Sequence, residues 1–300
     1  MLKFHSTSDL KNNQRLRPEI RFVSWEAWFL LACMLLGLAC NASAEEAGQT
    51  SYRFGVVPQF SQRHLFEVWE PIIREVEKRS GVALKFDPPL TIPEFEKRLS
   101  NGTDDFVYAN PYQALKAGLA QGYLPLVRDK RMLQGILVVR ADSDVTHPQQ
   151  LAGLELAVPS ANALGASMLP QAELLQKFGV RLGVRAVQTH SAVYLNVLTR
   201  QIAVGGGVQK TFEEQLPALQ QGLKIIYRTR EMPPHPVAAH PHVPALVRQK
   251  VETAFLSISD DPAYATLLHG IPVRTLVETS LDDYLVMRDW GLDEFWREPQ

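Results

Sequence analysis

Short apolar runs alternate along the chain with segments whose apolar residues recur three and four positions apart, and the alternation starts at Tyr52. Residues 52–57 (YRFGVV) read as a strand. Ser61 then offers a capping hydroxyl to a helix in which Leu65, Phe66, Trp69, Ile72, Ile73 and Val76 share one face, and Gly81 stops it. Residues 84–86 are predicted as a second strand, 93–99 as a short helix opened by proline, Asn101-Gly102 as a turn and 105–108 as a third strand. A helix over 112–121 ends at Gly122, and strands follow at 125–128 and 134–140.

The pattern then restarts. A short helix at 148–151 leads to a strand at 154–158, a helix near 164–178, a strand at 184–187, a helix at 191–200, a strand at 202–204, a helix at 211–220 and a strand at 223–227. A proline-rich stretch, 233–244, interrupts the series, and helices near 244–257, 262–269 and 281–290 close the chain. Strands alternating with helices argue for parallel sheets covered on both faces, so two such series predict two α/β lobes. On sheets of this kind ligands sit beyond the carboxyl ends of the strands. No repeat of fixed period is visible, which argues against a solenoid.

The first 44 residues have a different character. Residues 27–39 (AWFLLACMLLGLA) are uncharged and mostly apolar, follow five Lys and Arg residues, and precede Ala42-Ser43-Ala44. A membrane span needs about 20 apolar residues, so thirteen fit an export signal cut after Ala44, with residues 1–44 removed and the product placed in the periplasm. The alternative is a lipoprotein anchored at Cys40, which puts Gly37 where lipoproteins usually carry leucine. Both cysteines, Cys33 and Cys40, lie in this leader, so the exported chain contains no thiol and needs a packed core rather than disulfides. It also carries 26 Lys and Arg against 29 Asp and Glu, a balance that advertises no nucleic-acid partner.

Candidate chemistry is sparse. Gly205-Gly206-Gly207 follows a strand, but Gln209 stands where a phosphate-cradling loop needs glycine before Lys210-Thr211. A tight strand-to-helix turn and a close backbone approach to a small ligand remain as readings. Residues 160–167 (SANALGAS) link a strand to a helix with small side chains, which leaves N–H groups free to face an anion, while Ser160 or Asn162 serves as a cap. Ser167 lacks the second glycine of a nucleophile elbow, and no nucleophile and base are clustered, so an enzyme is not expected. His190-Ser191 opens a helix, where the imidazole is placed either to donate to an oxyanion or to serve structure. His235, His240 and His242 have the residue type of a metal site, but Pro236 and Pro241 extend the segment and are expected to splay the rings; neither metal nor cofactor is expected.

Taken together, residues 54–59 (FGVVPQ), 105–112 (DFVYANPY), 159–169, 189–193 (THSAV) and 201–208 (QIAVGGGV) resemble the phosphate/phosphite/phosphonate-binding family of periplasmic substrate-binding proteins that serve ABC importers. The resemblance runs from about Tyr52 to Asp260. It implies a periplasmic-binding-protein type II fold: two α/β lobes with a ligand cleft between them, joined by two crossover strands and closing on the solute by a hinge. The lobes are expected at 45–140 with 236–300, and at 141–235.

The resemblance implies a small anionic solute and an inner-membrane ABC permease as partners, with a membrane sensor as the alternative, a monomeric state and no catalysis. The ligand contacts expected on these grounds are Gln59, Tyr108, Tyr112, Ser160, Asn162, Gly165, Ala166, Ser167, His190, Ser191, Gly206 and Lys210. Two departures from the family pattern bear on the ligand. Ala163-Leu164-Gly165-Ala166 stands where phosphonate binders usually carry Ser-Thr-Ser-Gly, which removes hydroxyl donors. Lys210 and Ala203 stand where aminophosphonate binders usually have acidic side chains, which makes an aminophosphonate the less expected ligand.

Overall fold

The computed structural model describes residues 50–298 except Pro272; the leader, Cys40 and the expected cleavage after Ala44 lie outside the described residues. Tyr52–Val56 (β1), Leu84–Phe86 (β2) and Phe106–Tyr108 (β3) run parallel, with Phe54 between Phe86 and Phe106. Gln62–Ser80 (α1) and Ile92–Ser100 (α2) make the crossovers. The Ser61 hydroxyl accepts from the His64 N–H at the start of α1, and Gly81, at φ +66°, ends it in a conformation that strains any residue with a β-carbon. The face carrying Leu65, Trp69, Ile72, Ile73 and Val76 is buried over Phe54 and Phe255, each such side chain contributing about 1.5–3 kcal/mol.

Pro111–Gln121 (α3) follows β3 through a capping box between Asn110 and Gln113. Leu124–Asp129 (β4) completes the first pass through this sheet, and the chain leaves it over residues 130–132. The second lobe contains Leu133–Arg140 (β5), Glu155–Val158 (β6), Gly183–Ala186 (β7), Val204–Val208 (β8) and Leu223–Met232 (β9). Its helices are a π turn at Leu164–Met168 running into Leu169–Phe178 (α4), then His190–Leu198 (α5), Gln209–Glu213 (α6) and Pro217–Gln221 (α7). The chain returns over residues 233–235 to Pro236–Ala239 (β10), Ala245–Asp260 (α8) and Leu276–Glu278 (β11) in the first lobe. The sheet orders are β11-β4-β10-β3-β1-β2 and β7-β6-β8-β5-β9.

The two lobes and two crossovers match the expected type II architecture, with four differences. The sheets are mixed rather than parallel, because β10 runs antiparallel to β3 and β4, and β5 antiparallel to β8 and β9. The strand β5 belongs to the second sheet, so the first lobe ends near Asp129 and not at 140. The glycine run lies inside β8 and not after it, since an added Cβ on Gly206 would collide with the Ala166 carbonyl. The helix expected over 211–220 is two short helices, because Pro217 lacks the N–H that a continuous helix requires.

The carboxyl-terminal segment also departs from its expected place in the first lobe. Tyr284, Met287, Trp290 and Leu292 pack at once on Tyr112 and Leu115 of the first lobe and on Leu164, Met168 and Leu169 of the second. The chain therefore ties the lobes together a third time.

Candidate functional site

Between the lobes lies a cavity of about 80 Å³, room on the order of five water molecules or one small solute. Its walls are the segments that follow strands: Gln59 and Phe60 after β1, Tyr108 and Asn110 at the end of β3, Ser160 and Ala163 to Ala166 after β6, His190 after β7, and Lys210 after β8. Both crossovers contribute, through Asp129 and Leu133 on one and Pro234 and His235 on the other. This is the carboxyl-end position that the strand pattern leads one to expect.

Of the contacts expected from sequence, Gln59, Tyr108, Ser160, Gly165, Ala166, His190 and Lys210 line this cavity. Five others lie elsewhere. The Tyr112 hydroxyl donates to Asp293 Oδ1 at 2.8 Å, away from the cleft. Ser167 is buried with its hydroxyl accepting from Gln171 Nε2 at 3.1 Å, and Gly206 is packed against Ala166. Ser191 faces an adjoining hollow with His64 and donates to Gln215 Oε1 at 3.1 Å. Asn162 joins three parts of the chain: its Nδ2 donates to Glu96 Oε1 at 3.0 Å and to the Arg297 carbonyl at 2.8 Å, and its Oδ1 accepts from the Arg297 N–H at 2.8 Å.

Two nitrogens stand out electrostatically. Lys210 Nζ is buried and makes no hydrogen bond within the described residues; its nearest acid is Glu214 Oε1 at 3.9 Å, beyond hydrogen-bond range. Burial pushes its ammonium down to about 8, with the charges of Arg274 and Arg131 adding to the shift and Glu214 and Asp129 opposing it. His190 Nδ1 is likewise buried without a partner among the described residues, although the residue as a whole is only half-buried, and burial pushes its imidazole down to about 4. His190 is therefore neutral at physiological pH, available to donate or accept without carrying charge.

Tyr108 stays a neutral hydroxyl, since burial, with Asp129 and Tyr284 adding, raises its phenol well above the ordinary value. Asp129 lines the cavity, but its two oxygens accept from the N–H groups of Arg131 at 2.9 Å and Arg274 at 2.8 Å, so its charge is already held. Ala203 is exposed before β8 and lines no part of the cleft. The expectation against an aminophosphonate accordingly loses its Ala203 support and stands on Lys210 alone.

His235 is one of the lining residues the sequence did not assign, along with Asp129, Gln188 and Glu214. Its Nε2 lies 2.9 Å from Gln59 Nε2, which makes it the acceptor, and its ring stacks on Tyr108 with centroids 5.4 Å apart and planes 22° apart. Burial, with His190 adding, pushes this imidazole down to about 3. The missed signal was positional: His235 sits among prolines in the segment that crosses between lobes. His240 and His242 do not splay as expected; their rings are 4.2 Å apart, with His242 Nε2 at 2.5 Å from Asp105 Oδ1. Among the described residues no group of three or more His, Cys, Asp or Glu is arranged to hold a metal ion.

A family model described as the periplasmic substrate-binding protein of phosphonate ABC transporters matches residues 54–284. A phosphonate-transporter binding component from Pseudomonas aeruginosa superposes with a TM-score of 0.72 at 15% identity, over 82% of this chain and 87% of the other. PhnD1 of Prochlorococcus marinus, in complex with methylphosphonate, gives 0.72 at 13% identity, over 82% and 99%. A Xanthomonas citri protein bound to ATP gives 0.68 at 17% identity, over 82% and 98%. No curated protein matches the sequence directly. At these identities the structures speak to the fold, and the family model, spanning most of the chain, decides membership: the chain belongs to the periplasmic substrate-binding proteins of ABC phosphonate transporters, a non-enzymatic family that works with membrane permeases.

Proposed function

We propose that the protein binds a small oxyanion in the cavity between its lobes and passes it to an inner-membrane permease, acting as a monomer. The observation that carries this reading is the pair of buried nitrogens, Lys210 Nζ and His190 Nδ1, left without hydrogen-bond partners in the wall of one cavity. A buried polar group without a partner costs about 1–3 kcal/mol, more when it is charged, and an anion seated between them removes that cost. Tyr108 and the backbone after β6 supply further neutral contacts, in keeping with the short linker residues Ala163 to Ala166. The phosphonate seen with the Prochlorococcus relative belongs to the same broad class of ligand.

Thermal-shift measurements against phosphate, phosphite, methylphosphonate, short sulfonates and short carboxylates test the reading. A specific ligand at a hundred times its Kd stabilises by about 2.7 kcal/mol, and failure of every anion to raise the melting temperature contradicts it. We also propose export with cleavage after Ala44. Mass spectrometry of protein from the cell envelope is expected to give Glu45 as the amino terminus, whereas a lipid-modified Cys40 makes the protein tethered instead.

A further inference from the structure

The charge and polarity of the cavity wall narrow the ligand further. Among the described residues that line it, Lys210 is the one lysine or arginine, whereas Asp129 and Glu214 both contribute carboxylates. His190 and His235 are held neutral by burial, so neither offsets a second negative charge. Gln59 gives one of its two amide N–H groups to His235, and the carboxylate of Asp129 accepts from two backbone N–H groups. Among the described residues the donors that remain are Lys210, the His190 ring, the Tyr108 and Ser160 hydroxyls, the Gln188 amide and the backbone N–H groups after β6; all but Lys210 are neutral, so they can orient oxygens but offset no second charge.

Much of the remaining wall is apolar: Val57, Phe60, Ile92, Leu133, Leu164 and Met232. Burying a second, uncompensated charge among such side chains is unfavourable, while burying an alkyl group there is favourable.

We infer that the solute is a singly charged organic acid with a short apolar substituent, and that doubly charged oxyanions are rejected. The inference rests on the anion reading above and adds the charge state and body of the ligand. One lysine balances one negative charge; the second charge of a dianion finds no further cation in the described wall and meets Glu214 and hydrocarbon. The apolar side chains then accept the substituent in place of the water a bare inorganic ion retains.

Ethanesulfonate and ethylphosphonate make the test, because they share a tetrahedral head and an ethyl group but differ in charge. The sulfonate is a monoanion throughout, and the phosphonate, more basic than a phosphate ester because carbon replaces the ester oxygen, loses its second proton at about pH 8. Calorimetry with the purified protein gives both dissociation constants at about pH 6 and at about pH 8.5. Their ratio cancels the titration of Lys210, which affects both ligands alike. We expect a ratio near one at the lower pH and a preference of about fourfold for the sulfonate at the higher pH, where about a quarter of the phosphonate is still the monoanion. Propionate is expected to bind, and inorganic phosphate at about pH 8.5 to leave the sulfonate in place. A ratio that does not change with pH, or displacement by phosphate, overturns the monoanion inference while leaving an anion-binding cleft. Binding of none of the four acids overturns both.

Discussion

Lys210, His190 and Tyr108 reach one cavity from different parts of the fold, and each is argued to present a donor to the solute. Lys210→Met, His190→Ala and Tyr108→Phe are each expected to weaken binding by about 1–3 kcal/mol in calorimetry, while His240→Ala leaves affinity unchanged because its ring packs on Tyr123, outside the cleft. Unchanged affinity in the first three variants places the site elsewhere. The same histidines make the fold acid-sensitive. The unfolded chain takes up protons near the ordinary histidine value of 6.5, whereas His190 and His235 in the folded chain do so only near about 4 and about 3. Unfolding therefore binds protons in this window: stability is full above about 6.5 and is lost as the pH falls, by at most about 1.4 kcal/mol per pH unit for each ring. Melting temperatures between about pH 7.5 and pH 5 are expected to fall less for His235→Gln than for the wild type, and parallel curves contradict the assignment.

At the level of elements, β8 shows why a glycine run need not be a ligand loop. Gly206 lets the strand pass against the backbone of the π turn, and a methyl group there meets the Ala166 carbonyl. Gly206→Ala is expected to destabilise by about 1–3 kcal/mol in urea unfolding, and a neutral result means the turn yields more easily than its packing indicates. Helix positions were readable from sequence where Ser61 caps α1 with its hydroxyl and Gly81 and Gly122 end helices in the left-handed region, whereas the caps Asn110 and Thr189 went unread and their helices begin one residue earlier than expected. Strand direction was not readable. Alternation of apolar runs is the same for parallel and antiparallel neighbours, and the short β10, hidden among prolines, proves to be a central strand.

For the molecule as a whole, the third tie between the lobes matters most. Asn162 of the second lobe holds Glu96 of the first and the backbone of Arg297, so a single amide side chain staples both lobes to the carboxyl-terminal segment. Burial keeps the Glu96 carboxyl above its ordinary value, with Asn162 and Gln113 drawing it back. Asn162→Ala leaves Glu96 short of a donor and frees the tail. The expected outcome is a loss of about 1–3 kcal/mol in stability and, by small-angle scattering, a larger radius of gyration for the ligand-free protein. An unchanged radius shows that the hydrophobic contacts of Tyr284, Met287 and Trp290 hold the lobes without it.

Periodicity and capping, both local, determined from sequence alone that two β-α series exist and where most helices start and stop; chain order alone placed the loops after strands as the region to search. The tertiary structure decided which of those loop residues meet. Tyr112, Ser167 and Gly206 sit in the expected segments yet turn to Asp293, Gln171 and Ala166, since a loop's position does not determine the direction of its side chains. His235 joins Gln59, 176 residues away in sequence, only because the crossover brings it back under β3. That Lys210 Nζ is buried and, among the described residues, makes no hydrogen bond is likewise a property of the assembled cavity, for the residues that bury it come from other elements of both lobes.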